Sequence, residues 1–282
     1  MGKVYLQKIL LHFSLAFFMF LSTRSYSQDT VVTTTTVLQD SAIKPVDDHP
    51  YYYRINGVYL ESIWDDFKHT VAAPAHWQGR DWAKFAAITG TGVVLLTTAD
   101  KPIKHMMERN QTSTFKSITN VFEPLGNQYG PAFVTGMYFV GLISGNRRIE
   151  HASLSIARSL LISTAIYTVS KSLIPRQRPV RTDNQYDFRL PFNKKVKTYT
   201  SFPSGHSNTI FSIATAASLE FKEAKWVPYV AYTIATLTAV SRVYQDRHWS
   251  SDILIGASMG HFITKKVYAL EEKKKATLKM TY

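Results

Sequence analysis

Residues 201–252 read SFPSGHSNTIFSIATAASLEFKEAKWVPYVAYTIATLTAVSRVYQDRHWSSD. Pro203 and Ser204 start an apolar run over residues 205–221. A short charged break separates it from a second run over 226–241, and Ser250 begins a third. The runs are longer than ordinary strands, and alternation with a period of two is rare in them. Serine before a glycine-led apolar run is a helix start, because its hydroxyl accepts a hydrogen bond from a free backbone N–H of the first turn. Upstream, apolar segments over 85–98, 131–145 and 152–173 repeat the pattern. Pro131 opens one and Pro175 stops another. The spacing predicts an all-α bundle of six main helices, with short helices in the 101–129 connection.

The same stretch carries the chemistry. Pro203–Ser204–Gly205–His206 is followed by Ser241–Arg242, five residues, His248, three residues and Asp252; Lys171, six residues and Arg178–Pro179 precede both. If successive helices alternate in direction, Lys171 ends the third core helix, Ser204–His206 opens the fourth, Arg242 follows the fifth, and His248 and Asp252 open the sixth. All then lie at one end of the bundle. Lys171, Arg178 and Arg242 supply positive charge, the arginines in a fork that fits two phosphate oxygens. A helix start at Ser204–Gly205 offers free N–H groups and the positive end of the helix dipole. His248 and Asp252, four apart, share a helix face. Asp252 is therefore expected to take a hydrogen bond from one imidazole nitrogen and leave the other free to attack phosphorus. His206 is the expected proton donor to the leaving oxygen. Together these residues can hold a tetrahedral oxyanion and transfer it through histidine. The other histidines match no position in the pattern and read as surface or packing residues.

On these residues the chain resembles the type 2 phosphatidic acid phosphatase (PAP2) superfamily, which also holds bacterial acid phosphatases and vanadium haloperoxidases. Its signature, Lys-x6-Arg-Pro, Pro-Ser-Gly-His and Ser-Arg-x5-His-x3-Asp, is matched without substitution, and the resemblance covers roughly residues 82–270. It implies a six-helix core and a metal-independent phosphatase working through a phosphohistidine. By that resemblance His248 is the nucleophile, Asp252 its partner and His206 the general acid, while Lys171, Arg178, Ser204, Gly205 and Arg242 bind the phosphoryl oxygens. No cofactor is implied, though vanadate or phosphate fits the same cradle. Expected substrates are phosphomonoesters: a lipid phosphate or diphosphate, or a small phosphate ester. The alternatives are a vanadium-dependent haloperoxidase and a non-catalytic phospholipid-binding envelope protein.

Composition narrows the setting. The 282 residues contain no cysteine, which excludes disulfides, zinc–thiolate sites and cysteine nucleophiles. Residues 1–27 read as a signal peptide: Lys3 and Lys8, a short apolar run, then Ser25 and Ser27 placed for cleavage. The net charge is +13, and loss of Lys3, Lys8 and Arg24 with the leader takes it to +10. Such a charge favours anionic substrates or an anionic membrane surface, and export argues against nucleic acid. Residues 28–50 form a threonine-rich linker without helical period. Residues 51–81 form an aromatic-rich helical extension, in which Val58, Leu60, Ile63, Trp64 and Phe67 suggest an apolar face that caps the core, with lying on a membrane as the alternative. The phosphatase domain covers 82–270, and 271–282 is a basic tail. Apolar stretches of 14–17 residues and a mean hydropathy of −0.12 favour a periplasmic domain that touches a membrane, with an integral membrane enzyme as the alternative.

Overall fold

Most of the helices begin where a polar side chain takes over a free backbone N–H. In the computed structural model, which describes residues 54–191 and 198–279, Asn56 accepts from the Tyr59 N–H at 2.9 Å and starts α1, Gly57–Val71. Gln78 and Asp81 form a reciprocal capping box at the start of α2, Gly79–Arg109. Thr112 caps α3, Ser113–Phe122. A 3₁₀ turn, Glu123–Gly126, leads to α4, Tyr129–Ser144, which ends on Gly145 with φ of 67°. Asn146 caps α5, Arg147–Leu173; Ser204 caps α6, Gly205–Glu220; Pro228 sits in the first turn of α7, Val227–Tyr244; and α8 is Ser250–Lys279.

These residues form an all-α bundle with no β-sheet among the described residues; only Arg176 makes isolated bridges, to Phe188 and Thr200. The described residues fall within the compact unit His49–Tyr282. The expected signal peptide and linker lie outside them. The basic tail set apart from residue 271 instead continues α8, whose Glu271 is buried.

Side-chain contacts fix the helix directions. Lys171 of α5 reaches Pro203 just before α6, Ser163 meets Asn208 at 2.7 Å, and Arg148 reaches Glu220, so α5 and α6 are antiparallel. Ser204 meets Asp252, Ser212 meets Gly260 and Tyr268 meets Glu220, so α6 and α8 run parallel. Their contact is close because Gly256 and Gly260 lie against the carbonyls of Ser204 and Asn208, where a Cβ would collide with backbone. This packing sets the start of α6 beside the start of α8.

Two features depart from the sequence reading. The segment expected to be helical over 85–98 extends into a single 31-residue helix, α2, carrying a π-turn at Leu95–Ala99. That turn comes immediately before Asp100, which is buried. In α1 the expected apolar face caps the core only in part: Ile63 packs against Tyr59 and Leu154, and Phe67 is half-buried. Tyr59, Ser62, Asp66 and Thr70 point inward, while Val58, Leu60, Trp64 and Val71 are exposed. The inward polar face is held by ions: Asp66 pairs with Arg158 of α5 and Lys274 of α8, and Arg158 also pairs with Glu271. Arg158, a charge within a long apolar helix, is fully buried in this cluster.

Candidate active site

The eight expected site residues meet at the end of the bundle where α5 ends and α6 and α8 begin. Lys171, in the last turn of α5, donates to the Pro203 carbonyl at 3.0 Å. Arg178, in the following connection, is held by the Thr200 hydroxyl at 3.1 Å. Ser204 caps α6 and is tied to α8 through its N–H, which donates to the Asp252 carbonyl at 3.0 Å. Arg242, at the end of α7, donates to Gln245 at 2.8 Å, and its buried Nε has no hydrogen-bond partner. His248 lies within electrostatic reach of Lys171 and Arg178, as His206 does of Arg178 and Arg242. Three cations and two imidazoles therefore surround one helix N-terminus.

The orientation of His248 follows from its partner. Its Nδ1 is 2.7 Å from the backbone carbonyl of Ser201. A carbonyl only accepts, so Nδ1 carries the proton and Nε2 keeps its lone pair. Asp252 was expected to take that proton directly, yet its Oδ2 is 3.9 Å from Nδ1. It instead accepts from the Ser201 hydroxyl at 2.5 Å and from the Trp249 N–H at 3.0 Å. The latter bond caps the first turn of α8. Ser201 thus stands between the two, its carbonyl on the histidine and its hydroxyl on the aspartate. Burial pushes the His248 pKa down to about 4, and the nearby Lys171 and Arg178 act in the same direction against Asp252.

Asp252 is itself held by Arg176, which reading the sequence alone passed over. Arg176 is 1% exposed and donates to Asp252 at 2.7 Å, to Asp100 at 2.8 Å and to the Ser251 hydroxyl at 2.8 Å. Its guanidinium lies over the rings of Phe188 and Trp249 at 5.2 and 5.1 Å. Asp100, from α2, also accepts from the Ser251 N–H and the Ser250 hydroxyl. Two buried carboxylates share one guanidinium and form a hydrogen-bonded support under the start of α8, with one negative charge in excess.

On the other side, His206 Nε2 is 2.9 Å from Glu123 Oε1, which also pairs with Arg242 Nη1 at 3.0 Å. Glu123 was likewise missed. It comes from the 3₁₀ turn before α4 and belongs to no motif. Beside His206 and Arg242 a polar cavity of about 640 Å³ opens.

The family model described as the PAP2 superfamily matches residues 152–276. The matched segment is less than half of the chain. It contains the ends of α5, α6, α7 and α8 that carry every expected site residue. A lipid A 1-phosphatase of Porphyromonas gingivalis is 38% identical over 73 residues, 26% of this chain and 16% of that protein. The match thus spans about a sixth of that relative's length. An undecaprenyl-diphosphatase of Sulfolobus acidocaldarius is 25% identical over 159 residues, 56% of this chain and 72% of that protein. The fold is similar to the crystal structure of a transmembrane PAP2 type phosphatidylglycerolphosphate phosphatase from Bacillus subtilis. The TM-score is 0.53 at 22% identity, covering 67% of this chain and 94% of that one.

Proposed function

We propose that this protein is a membrane-embedded PAP2 phosphatase that hydrolyses phosphomonoesters, lipid phosphates above all, through a phosphohistidine. The observation that carries the reading is the tautomer of His248. With Nδ1–H on the Ser201 carbonyl, an unprotonated Nε2 is presented among Lys171, Arg178 and Arg242. The three cations, with the free N–H groups at the start of α6, would hold the phosphoryl oxygens and take up the charge that develops on them. Nε2 would attack phosphorus in line with the leaving oxygen, forming the N–P bond as the P–O bond breaks. His206 would give its proton to the departing alkoxide. In the second half, His206 would accept a proton from water as that water's oxygen attacks phosphorus, releasing inorganic phosphate and restoring Nε2. The chain itself supplies the positive charge this chemistry needs, so we propose turnover without a metal ion. The names of the relatives, a lipid A 1-phosphatase and an undecaprenyl-diphosphatase, support a phosphorylated lipid as substrate.

The membrane reading rests on what the bundle exposes. The most apolar 18-residue window of α2 is only 6% buried, although the helix is long enough to cross a bilayer. Val93 and Val94 of α2, Phe139 and Ile143 of α4, Leu161 and Val169 of α5, and Tyr229 and Leu237 of α7 are all exposed. A surface so rich in large apolar side chains suits lipid better than water. The inverted face of α1, polar inward and apolar outward, has the same logic. These features favour the integral membrane alternative over a domain that only touches the bilayer. Retention in the pellet after an alkaline carbonate wash, with release only by detergent, is the expected behaviour; release by carbonate would overturn the membrane assignment.

The activity is tested by phosphate release from phosphatidic acid in detergent micelles containing EDTA, with the His248→Ala variant alongside. Release abolished by the substitution supports the mechanism. Equal release from both proteins would sink it, and loss in EDTA restored by a divalent ion would remove its metal independence.

A further inference from the structure

The helix long enough to cross a bilayer, α2, is interrupted close to the site. Pro102 has no N–H for the Thr98 carbonyl, and its ring crowds that oxygen. The π-turn over Leu95–Ala99 comes just before it, with the Asp100 N–H donating to the Leu95 carbonyl. The hydroxyls of Thr97 and Thr98 both donate to the Val94 carbonyl, at 3.1 and 2.6 Å. In an uninterrupted helix the Lys101 N–H would donate to the Thr97 carbonyl. Here one side-chain amide from the connection between α5 and α6 serves both groups. Gln185 Oε1 accepts from the Lys101 N–H at 3.0 Å, and Gln185 Nε2 donates to the Thr97 carbonyl at 3.3 Å.

Gln185 is buried, and its neighbours lie along the same stretch of helix. Asp183 accepts from Lys104 at 2.6 Å and meets His105 Nε2 at 3.0 Å, and the Tyr186 hydroxyl also reaches the Thr97 carbonyl, at 3.4 Å. A backbone N–H and carbonyl left without partners in protein or hydrocarbon are costly, so the amide of Gln185 is an integral part of α2.

The main chain of the same residue serves the site. The Gln185 carbonyl accepts from both Nε and Nη2 of Arg176, at 3.2 and 2.7 Å. A guanidinium is planar, so fixing Nε and Nη2 on one acceptor also fixes the direction of Nη1. Nη1 meets Asp252, and Nη2 meets Asp100, the residue that follows the π-turn. Gln185 is thus bonded through its side chain to α2 and through its carbonyl to the arginine that holds Asp252. It does not line the cavity beside His206.

We propose that Gln185 is a positioning residue for the phosphoryl transfer: by completing α2 at its interruption and presenting its carbonyl to Arg176, it sets Asp252, and through Ser201 the nucleophile His248, against that helix. The inference rests on the phosphatase reading above. A residue of this kind acts on kcat, because it changes the alignment of attack and not the grip on the substrate.

The test uses the full-length protein with phosphatidic acid in detergent micelles. Gln185→Leu removes both side-chain bonds, keeps a similar size and leaves the carbonyl in place. It is expected to lower kcat about tenfold while KM changes by less than about twofold. Tyr186→Phe takes only the weaker partner from the Thr97 carbonyl and is expected to stay within about twofold of the wild type. If Gln185 acts through Arg176, the double variant with Arg176→Lys should fall no more than about twofold below Arg176→Lys alone, whereas independent effects would multiply. A residue that only supports the fold would lower the unfolding temperature and multiply with Arg176→Lys. That multiplication, an unchanged kcat in Gln185→Leu, or an equal loss in Tyr186→Phe overturns the proposal; with release still abolished by His248→Ala, the phosphatase stands. If the leucine variant does not fold, Gln185→Glu, which keeps the acceptor for Lys101 and loses the donor to Thr97, takes its place. It is expected to lower kcat about threefold at nearly constant KM, and an unchanged kcat there overturns the proposal equally. If the wild-type protein releases no phosphate, the phosphatase reading fails and this inference fails with it.

Discussion

Ser201 holds His248 by its carbonyl, with 2.7 Å between that oxygen and Nδ1. The same residue's hydroxyl gives its proton to Asp252 at 2.5 Å. The aspartate thus influences the imidazole through Ser201 and across a 3.9 Å gap rather than by direct contact. Ser201→Ala keeps the carbonyl and removes only the hydroxyl. It should lower kcat about tenfold with little change in KM, because a hydrogen bond to a charged group is worth roughly 1.5–3 kcal/mol and only part of it bears on the imidazole. Steady-state kinetics on a micellar lipid phosphate checks this. A full loss equal to that of His248→Ala would mean the hydroxyl does more than position its neighbour.

Arg176 carries a heavier role. Replacing it with methionine leaves Asp100 and Asp252 buried and facing each other without a cation. Breaking a buried ion pair by removing one partner costs about 3–5 kcal/mol. The unfolding temperature in detergent should fall by several degrees or more, and activity with it. Arg176→Lys should recover only part of both, since one ammonium cannot reproduce a planar fork shared between Asp100, Asp252 and the Ser251 hydroxyl. Full recovery by lysine would show that charge alone matters there.

The buried setting of His248 predicts an unusual acid limb. Its pKa lies near 4 instead of the usual 6.5, chiefly because burial disfavours the imidazolium. Attack requires the neutral His248 ring and proton donation a charged His206, itself pushed down to about 4 chiefly by burial, so kcat/KM should rise as pH falls from neutrality towards about 5 and drop only near 4. The stability linkage has the same sign. The unfolded chain takes up this proton first, so the folded state loses stability as pH falls from 6.5 through 4. His248→Asn should flatten that part of the unfolding-temperature profile. A kcat/KM limb at 6.5 would mean the ring is solvated in the working enzyme.

Much of this site was legible because its chemistry depends on residue type at fixed spacing. Lys171, Arg178, Ser204, Gly205, His206, Arg242, His248 and Asp252 could be read together once helices of alternating direction were assumed. Helix punctuation at Pro175 and Ser204 made that assumption sound. Arg176 and Asp100 were hidden for a physical reason. They act by burial, and a buried arginine in a basic loop looks like its solvated neighbours. The available clue was the need of Asp252 for a cation, with Arg176 two residues from the motif arginine. Glu123 was hidden because a 3₁₀ turn between α3 and α4, without periodicity of its own, brings it to His206 and Arg242. The face of α1 was legible only in part, because apolar residues at helical spacing mark an exposed face as readily as a buried one: Ile63 packs against the core while Trp64 is exposed.

The contact between α6 and α8 sets the start of one helix beside the start of the other, and it rests on two glycines. A methyl at Gly256 would run into the Ser204 carbonyl, and one at Gly260 into the Asn208 carbonyl. Both obstacles are backbone, so no side chain can rotate away and the helices must separate. Overpacking of this kind costs about 1–3 kcal/mol. The two sites should differ in function. Gly256 meets the residue that caps α6 and abuts the phosphate cradle, whereas Gly260 meets α6 one turn further from it. Gly256→Ala should therefore depress kcat/KM strongly, while Gly260→Ala should cost similar stability with a smaller loss of activity. Paired unfolding and kinetic measurements on the two variants check this; equal losses of activity at equal stability would show that general helix separation, and not displacement of Ser204, limits the reaction.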